Sequence, residues 1–453
     1  MRTSQSLRIG IVGSGMAGSA AAHFLRRELG DRVEIVVFER ERRVGGRIRE
    51  AEVGGRMVAV GASIAHSANR YFVEFARTLA LHADPTPIRT LGVWNGRRFG
   101  FRTSGTGWLD TVRALGRYGL SPLRAERLVK QFVSQLVRVY DLLDQGNGFA
   151  SPRELFESLG LVELANQPAG DYLRRNGVSD RFRRELVDGI SRSNYLQGSG
   201  MHALVDLVSL AGGSMGGHLL SVREGNSAIC RRLLETAEVA LRTGAEVVEV
   251  ARLSPVSSAG GQEPGFRITL AGGDTGFFDA VILAAPLELA GIRLVGMVPP
   301  AIPLASRPYH VTHVTFVVGQ ISPQYFGLSA PEQVPAMIMT EDSREIPFCA
   351  IGAGGKAANS EHTVYKVFSY QELDEEFLSR LFSLRTETQR FVWKAYPVYR
   401  PGMDWPPFVL DEGLFYANAM ESGVSTMETE IMAGRNVVNL LLQRIRPVQR
   451  QTG

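Results

Sequence analysis

The chain has 453 residues, 44% of them hydrophobic and 21% charged, and its formal charge is +4. That length predicts two intimately connected domains, and the composition is that of an ordinary globular enzyme, not of a disordered or fibrous chain. The basic residues are nearly all arginine, with lysine only at Lys130, Lys356, Lys366 and Lys394, and acidic residues are interspersed among them, which excludes a nucleic-acid-binding stripe.

Two cysteines far apart, Cys230 and Cys349, make neither a disulfide framework nor a metal site and read as buried thiols in a reducing cytoplasm. No run of about 20 apolar residues exists, and the nearest candidate, residues 281–305, is broken by Glu288, Arg293 and several prolines. No transmembrane segment is expected, while peripheral membrane contact stays open. The start, MRTSQSLRIGIVGSGMAG, lacks the charged, apolar and small-residue order of a signal peptide. With an arginine bias typical of a GC-rich genome, the expectation is a cytoplasmic, bacterial protein.

In chain order, Leu7–Val12 is a short Ile/Val-rich run ending at glycine and reads as a buried parallel strand. Ala17–Leu29 has helical spacing, and Val33–Phe38 is the next strand, so the first 40 residues form a βαβ unit. Between strand and helix stands Gly13-Ser-Gly15-Met-Ala-Gly18. The first glycine permits the tight turn, the second lets a pyrophosphate approach the backbone, and the third lets the helix pack on the strand. Glu39, at the end of the second strand, is placed to accept hydrogen bonds from ribose hydroxyls. The next segment, Glu39-Arg-Glu-Arg-Arg-Val-Gly45-Gly46-Arg47, matches the glycine pair that follows this strand in flavin amine oxidases and their relatives, which selects FAD over NAD and makes Arg47 a pyrophosphate partner. In Val60-Gly61-Ala62-Ser63-Ile-Ala-His66, small residues let the chain pass the flavin ring. His66 is a candidate for hydrogen bonding or proton shuttling, or else a packed core residue.

Residues 70–220 read mostly as helices, at Tyr71–Leu81, Leu123–Leu143, Pro152–Leu159 and Phe182–Ile190, with a further apolar stretch at Ala203–Leu210. Strands follow at Glu246–Leu253, Phe266–Leu270 and Ala280–Ala284, with a Gly-rich turn at 257–264. Beyond them come strands His310–Val318 and Thr363–Ser369 and a helix Asp374–Leu384. Gly352-Ala-Gly354-Gly355-Lys356-Ala357 fits a loose GxGxxA pattern but has no room for the helix it would need, and reads as a loop. From Gly413 the pattern is strand, turn and a helix ending near Leu442, whose N-terminus, around Glu421, Thr426 and Met427, could stabilise negative charge on reduced flavin. The division predicted is a discontinuous FAD-binding domain (1–69, 221–290 and 400–445), a substrate domain (70–220 and 291–399) and a frayed tail (446–453).

No HExxH, Cys/His metal spacing, GxSxG or Walker loop occurs, so no metal is expected. No general base stands out either, and hydride transfer to flavin N5 needs none.

Taken together these segments resemble the prenylcysteine oxidase (prenylcysteine lyase) family. The resemblance runs through GIVGSGMAGSAAAHFLR, VFERERRVGGRI and VGASIAHSANRY near the start. It continues through Asn194-Tyr195, ALVDLVSLAGGS and VREGNSAICRRLL in the middle. Towards the end it covers TVYKVFSYQEL, WKAYPVY, PPFVL and LFYANAMESGVSTMETEIMAGRN. It implies an α/β fold: a Rossmann-type FAD-binding domain of the flavin amine oxidase and glutathione reductase-like class with an inserted α+β substrate domain. It also implies non-covalent FAD and oxidation of an apolar thioether, S-farnesyl or S-geranylgeranyl cysteine, with O2 as acceptor and hydrogen peroxide, a thiol and a prenyl aldehyde as products. The candidate cofactor contacts are Gly13, Gly15, Met16, Ala17, Gly18, Glu39, Arg40, Gly45, Gly46, Arg47, Gly61, Ala62, Ser63, Val248, Glu421, Thr426 and Met427, and His66 is the catalytic candidate. Alternatives are a flavin amine oxidase or isoprenoid desaturase, and a non-catalytic flavin or isoprenoid binder. Against an amine oxidase, the strand beginning Tyr309-His310-Val-Thr-His313 has no lysine for flavin N5. Lys366 is a possible replacement but reads as a surface residue.

Overall fold

The computed structural model describes residues 6–86, 88–213, 217–253, 265–297 and 307–450, with side chains as far as Ile445. Its centre is a six-stranded sheet in the order Ala240–Thr243, Val33–Glu39, Leu7–Val12, Ala280–Leu283, Leu414–Tyr416 and Val409–Asp411. All neighbouring pairs are parallel except the last. The middle strands are covered on both faces, which is why they read as unbroken apolar runs: Ile11 lies between Val37 and Ile282 and is fully buried. The helix Met16–Leu29 packs against the long terminal helix Met427–Arg450. Small residues let the two approach closely, and a Cβ at Gly434 would stand 2.7 Å from the Ala17 carbonyl oxygen.

A four-stranded sheet, Thr275–Phe278, Phe266–Leu270, Val247–Arg252 and Arg293–Val295, flanks this unit. A second large sheet has seven strands: Phe382–Pro397, Tyr309–Ile321, Thr363–Ser369, Ala350–Lys356, Met337–Thr340, Leu91–Trp94 and Phe99–Arg102. The helix Asp188–Tyr195 lies against it, and Gly189 brings its backbone within 3.2 Å, measured from an added Cβ, of the Met339 Cβ. The hairpin of Glu50–Val53 and Arg56–Ala59 docks on the other end through Val53, Val60, Val314, Phe316 and Val364. Among the described residues no helix is long and apolar enough to cross a membrane. Cys230 and Cys349 are both buried and free.

Several elements differ from their sequence reading. The helix predicted to Leu81 stops at Thr78, because Ala80 takes a positive φ of 55° and the chain enters the short strand Ala83–Pro85. The helix predicted over Leu123–Leu143 is two, Ser121–Leu136 and Arg138–Asp144. Phe182–Ile190 is interrupted by a π-helical turn at Arg183–Val187. Gly352–Lys356 is not a loop but part of the strand Ala350–Lys356, whose pairing with Thr363–Ser369 shifts between Ala353 and Lys356. The helix predicted to Leu384 ends at Leu381, and the chain continues without a break into the strand Phe382–Pro397, paired along its length with Tyr309–Ile321. The terminal helix runs past Leu442 to Arg450, so residues 446–450 of the expected tail are helical. The Gly-rich turn at 257–264 lies outside the described residues.

Candidate cofactor and substrate site

The parallel strand Leu7–Val12 ends at Gly13, which takes a φ of 106°, a conformation open to glycine and strained for other residues, and whose amide donates to the Phe38 carbonyl at 2.8 Å. Gly15 caps the following helix without a side chain, so Met16 and Ala17 present the first turn directly to a cavity. Gly18 faces away from that cavity: a Cβ there would overlap the Gly13 carbonyl oxygen. Its part is the close packing of helix on strand, and it does not line the cavity.

The carboxylate of Glu39 is set at the cavity wall by three donors, the Ser14 amide at 3.0 Å, the Ser14 hydroxyl at 2.6 Å and the Glu41 amide at 2.9 Å. Gly45, at φ 109°, donates to the Ser14 carbonyl at 3.0 Å, which ties the second glycine loop to the first. Arg40, Gly45, Gly46 and Arg47 line the cavity beside them. Arg47 is also tied to the protein behind the wall. Its guanidinium donates to both oxygens of Glu421 and, at 2.8 Å, to the Ala395 carbonyl, so three of its five N–H groups are engaged by protein. Glu421 is fully buried behind the wall and also accepts from the Tyr309 hydroxyl at 2.9 Å and from Asn418. It does not touch the cavity. Its carboxyl is held below the usual range by Arg47 and Arg307 against the opposing effect of burial.

Residues Asn418 and Glu430 take the place expected for Glu421, and both line the cavity with Thr426 and Met427 at the start of the terminal helix. Burial and the neighbouring Glu421 push the Glu430 carboxyl well up, so one of this carboxyl pair is ionised and the other holds its proton. The strand Val247–Arg252 is bulged at Val247 and Glu249, and Val247, not Val248, faces the cavity. Gly61, Ala62 and Ser63 line it as expected. His66 also does, with its Nδ1 accepting from the Ala68 amide at 3.1 Å. That bond leaves the proton on Nε2, and burial, followed by the electrostatic influence of the neighbouring His218, lowers the imidazole pKa, so the ring is a neutral Nε2–H donor.

Beyond the glycine loops the same cavity, about 1110 Å³, continues between the helix Ser121–Leu136 and the seven-stranded sheet. Phe132, Val133 and Leu136 form one wall, and Met337, Met339, Phe368, Phe391 and Tyr396 the other. Lys366 stands in the second wall, and it is no surface residue: its ammonium donates to the Ala59 carbonyl at 2.6 Å and lies 4.7 Å from the centre of the Phe368 ring. Its strand, TVYKVFS, does not alternate apolar and polar residues, so nothing local in the sequence marked Lys366 as cavity-lining.

Four polar atoms of cavity-lining side chains are buried without a partner among the described residues: His66 Nε2, Thr312 Oγ1, Asn418 Oδ1 and Glu430 Oε1. Such atoms call for a ligand rich in donors and acceptors. FAD fits this lining: the fingerprint turn and helix N-terminus would take its pyrophosphate, Glu39 its ribose and the partnerless groups its polar remainder.

Comparisons with known proteins agree with this geometry. The family model described as prenylcysteine lyase matches residues 101–452, and that of an NAD(P)-binding Rossmann-like domain matches residues 11–79. Farnesylcysteine lyase of Arabidopsis thaliana is 34% identical over 96% of this chain and 88% of its own length. Prenylcysteine oxidase 1 of Mus musculus is 30% identical over 96% and 89%. Among solved structures, putrescine oxidase bound to putrescine superimposes with a TM-score of 0.63 at 16% identity, over 96% of this chain and 99% of that one. Cyclohexylamine oxidase from Brevibacterium oxydans gives 0.62 at 16%, over 97% and 100%, so the fold is that of flavin amine oxidases. By its sequence over nearly its whole length, the chain belongs to the prenylcysteine lyase family.

Proposed function

We propose that this protein is an FAD-dependent oxidase that cleaves the thioether of a prenylcysteine. The observation that carries the reading is one continuous cavity, with the dinucleotide loops at one end and an apolar chamber at the other. When bound, FAD would supply the two-electron acceptor for a hydride from the prenyl carbon next to sulfur, with O2 as the final acceptor. In balance, the thioether, water and O2 give an aldehyde, a thiol and hydrogen peroxide.

On this reading Gly13, Gly15, Met16 and Ala17 hold the pyrophosphate against the helix N-terminus, and Glu39 holds the ribose. Gly45, Gly46, Gly61, Ala62 and Ser63 let the backbone run close to the cofactor. Arg47 acts indirectly, by fixing the Glu421 and Asn418 corner. His66 offers Nε2–H to the cofactor or substrate. The apolar walls orient the prenyl chain and keep bulk water from its reacting carbon. The division into a nucleotide part (1–69, 221–290 and 400–445) and a substrate part (70–220 and 291–399) is supported by the two large sheets, each built from one set of segments. The amine oxidase fold gives a second reading, amine oxidation, because the half-buried Lys366 borders the cavity.

The test is an anaerobic mixing experiment with purified holoprotein and S-farnesyl-L-cysteine. Loss of the oxidised flavin band is the expected result. A protein that stays yellow with this thioether and bleaches with amines would overturn the assignment in favour of the second reading.

A further inference from the structure

The Lys366 ammonium has an unusual setting. The strand Thr363–Ser369 places it opposite Phe316, between the rings of Phe316 and Phe368, at 5.8 and 4.7 Å. It makes one hydrogen bond, to the Ala59 carbonyl, so two of its three donors are free of described protein partners. Burial is the one influence on its pKa, lowering it to about 7, and no carboxylate offsets that effect. A half-buried ammonium without a counter-ion among the described residues is costly to fold around.

The distribution of charge along the cavity says what would offset this. The described acidic lining residues, Glu39, Glu41, Glu246, Glu288, Glu428 and Glu430, all come from the nucleotide segments of the chain and none from the seven-stranded sheet, and Glu428 is held by the Tyr140 hydroxyl and the amides of Tyr71 and Phe72. On the wall contributed by the seven-stranded sheet the only charged lining residues among the described residues are Lys366 and Lys394, and both are cations. Arg49 adds a third cation nearby, stacked over the ring of Phe391 at 5.3 Å. The rest of that wall is apolar or uncharged. The chamber therefore suits a ligand that is apolar along most of its length and carries one anionic group.

We propose that Lys366 is a substrate-binding residue that receives the α-carboxylate of the cysteine moiety, so that the site selects the free amino acid over its ester. The proposal rests on the prenylcysteine reading above and adds to it the recognition of the polar end of the substrate. Lys366 donates its two remaining N–H groups to the carboxylate, the aromatic rings on either side exclude water from the pair, and the prenyl chain occupies the apolar chamber. Ion pairing also offsets the burial of the lysine, which a neutral ester does not do.

The experiment compares S-farnesyl-L-cysteine with its methyl ester on the FAD-loaded wild type and on K366M, which keeps the length of the side chain and removes its charge. Binding is followed by perturbation of the flavin spectrum and turnover by steady-state kinetics. The wild type is expected to bind the acid about 10- to 100-fold more tightly than the ester, the range for a hydrogen-bonded charge, and K366M to bring that preference close to one. The change is expected in KM rather than kcat, with the absorption spectrum of bound FAD unaltered. Equal loss on acid and ester, a preference that survives in K366M, or a wild type with no preference overturns the proposal. Lys366-dependent binding of the acid without flavin reduction overturns the thioether-oxidase reading alone.

Discussion

At the scale of single residues, the site depends on side chains that never reach the ligand. Glu421 neutralises Arg47 from behind the cavity wall, so Glu421→Gln leaves a partly buried guanidinium without its carboxylate. We expect a loss of about 3 kcal/mol in stability and faster release of FAD, read by urea denaturation and by flavin fluorescence after dilution. Gly18→Ala drives a methyl group into the Gly13 carbonyl. It should weaken FAD retention at least about tenfold by displacing the pyrophosphate turn, since overpacking shifts of this kind cost about 1–3 kcal/mol. Asp206 gives a pH signature. It is fully buried, accepts one hydrogen bond from Ser191 at 2.7 Å, and burial raises its pKa from 3.8 to about 7. The fold therefore holds a proton that the unfolded chain releases, and stability falls as pH rises from about 4 to about 7. In Asp206→Asn that slope should flatten, measured by urea midpoints at pH 5 and pH 8; an unchanged slope would show that Asp206 is not its source. The glycines of the nucleotide loops were legible in the sequence because a turn constrains φ locally. Val247 was mistaken for Val248 because a β-bulge changes which residue faces inward. Lys366 and Glu430 were misjudged or missed because their environment comes from segments remote in the chain.

Among the elements, the helix Glu375–Leu381 is short and depends on its cap, where Asp374 Oδ1 accepts from the Phe377 amide at 2.7 Å. Asp374→Ala should cost about 1 kcal/mol, seen as a small fall in Tm with FAD content and activity unchanged. The βαβ unit was legible almost to the residue, since a buried parallel strand, a glycine turn and a helix each carry local signals. The strand Thr363–Ser369 was also read with its true ends. The strand Phe382–Pro397 was not: the first part of its sequence, FSLRTETQRFVWKAYP, is mostly polar, and its structure comes from pairing with Tyr309–Ile321. The same holds for Ala350–Lys356, whose glycines suggested a loop until two neighbouring strands fixed them in a sheet.

For the whole molecule, the cofactor joins parts of the chain that are hundreds of residues apart. The cavity wall draws on Gly13, Arg47, Val247 and Met427, so bound FAD stabilises the native state as a ligand that the unfolded chain does not bind. Free FAD at about 100 times its Kd should add about 2.7 kcal/mol, measured as a rise in Tm of the apoprotein; no rise would contradict the placement. The sequence revealed the family and the nucleotide half because their signals are local or shared with relatives. The substrate half forms only when the helix Ser121–Leu136 and the seven-stranded sheet meet, and no single segment announces that chamber.

The most direct test of the central claim is the anaerobic reduction of the enzyme's flavin by S-farnesyl-L-cysteine carrying deuterium at both positions of the prenyl carbon next to sulfur. Thioether oxidation predicts slower flavin reduction than with the unlabelled compound, and an aldehyde that retains one deuterium. Reduction at an unchanged rate, with both deuterium atoms still on an intact thioether, would place the oxidation at the amine and contradict the account.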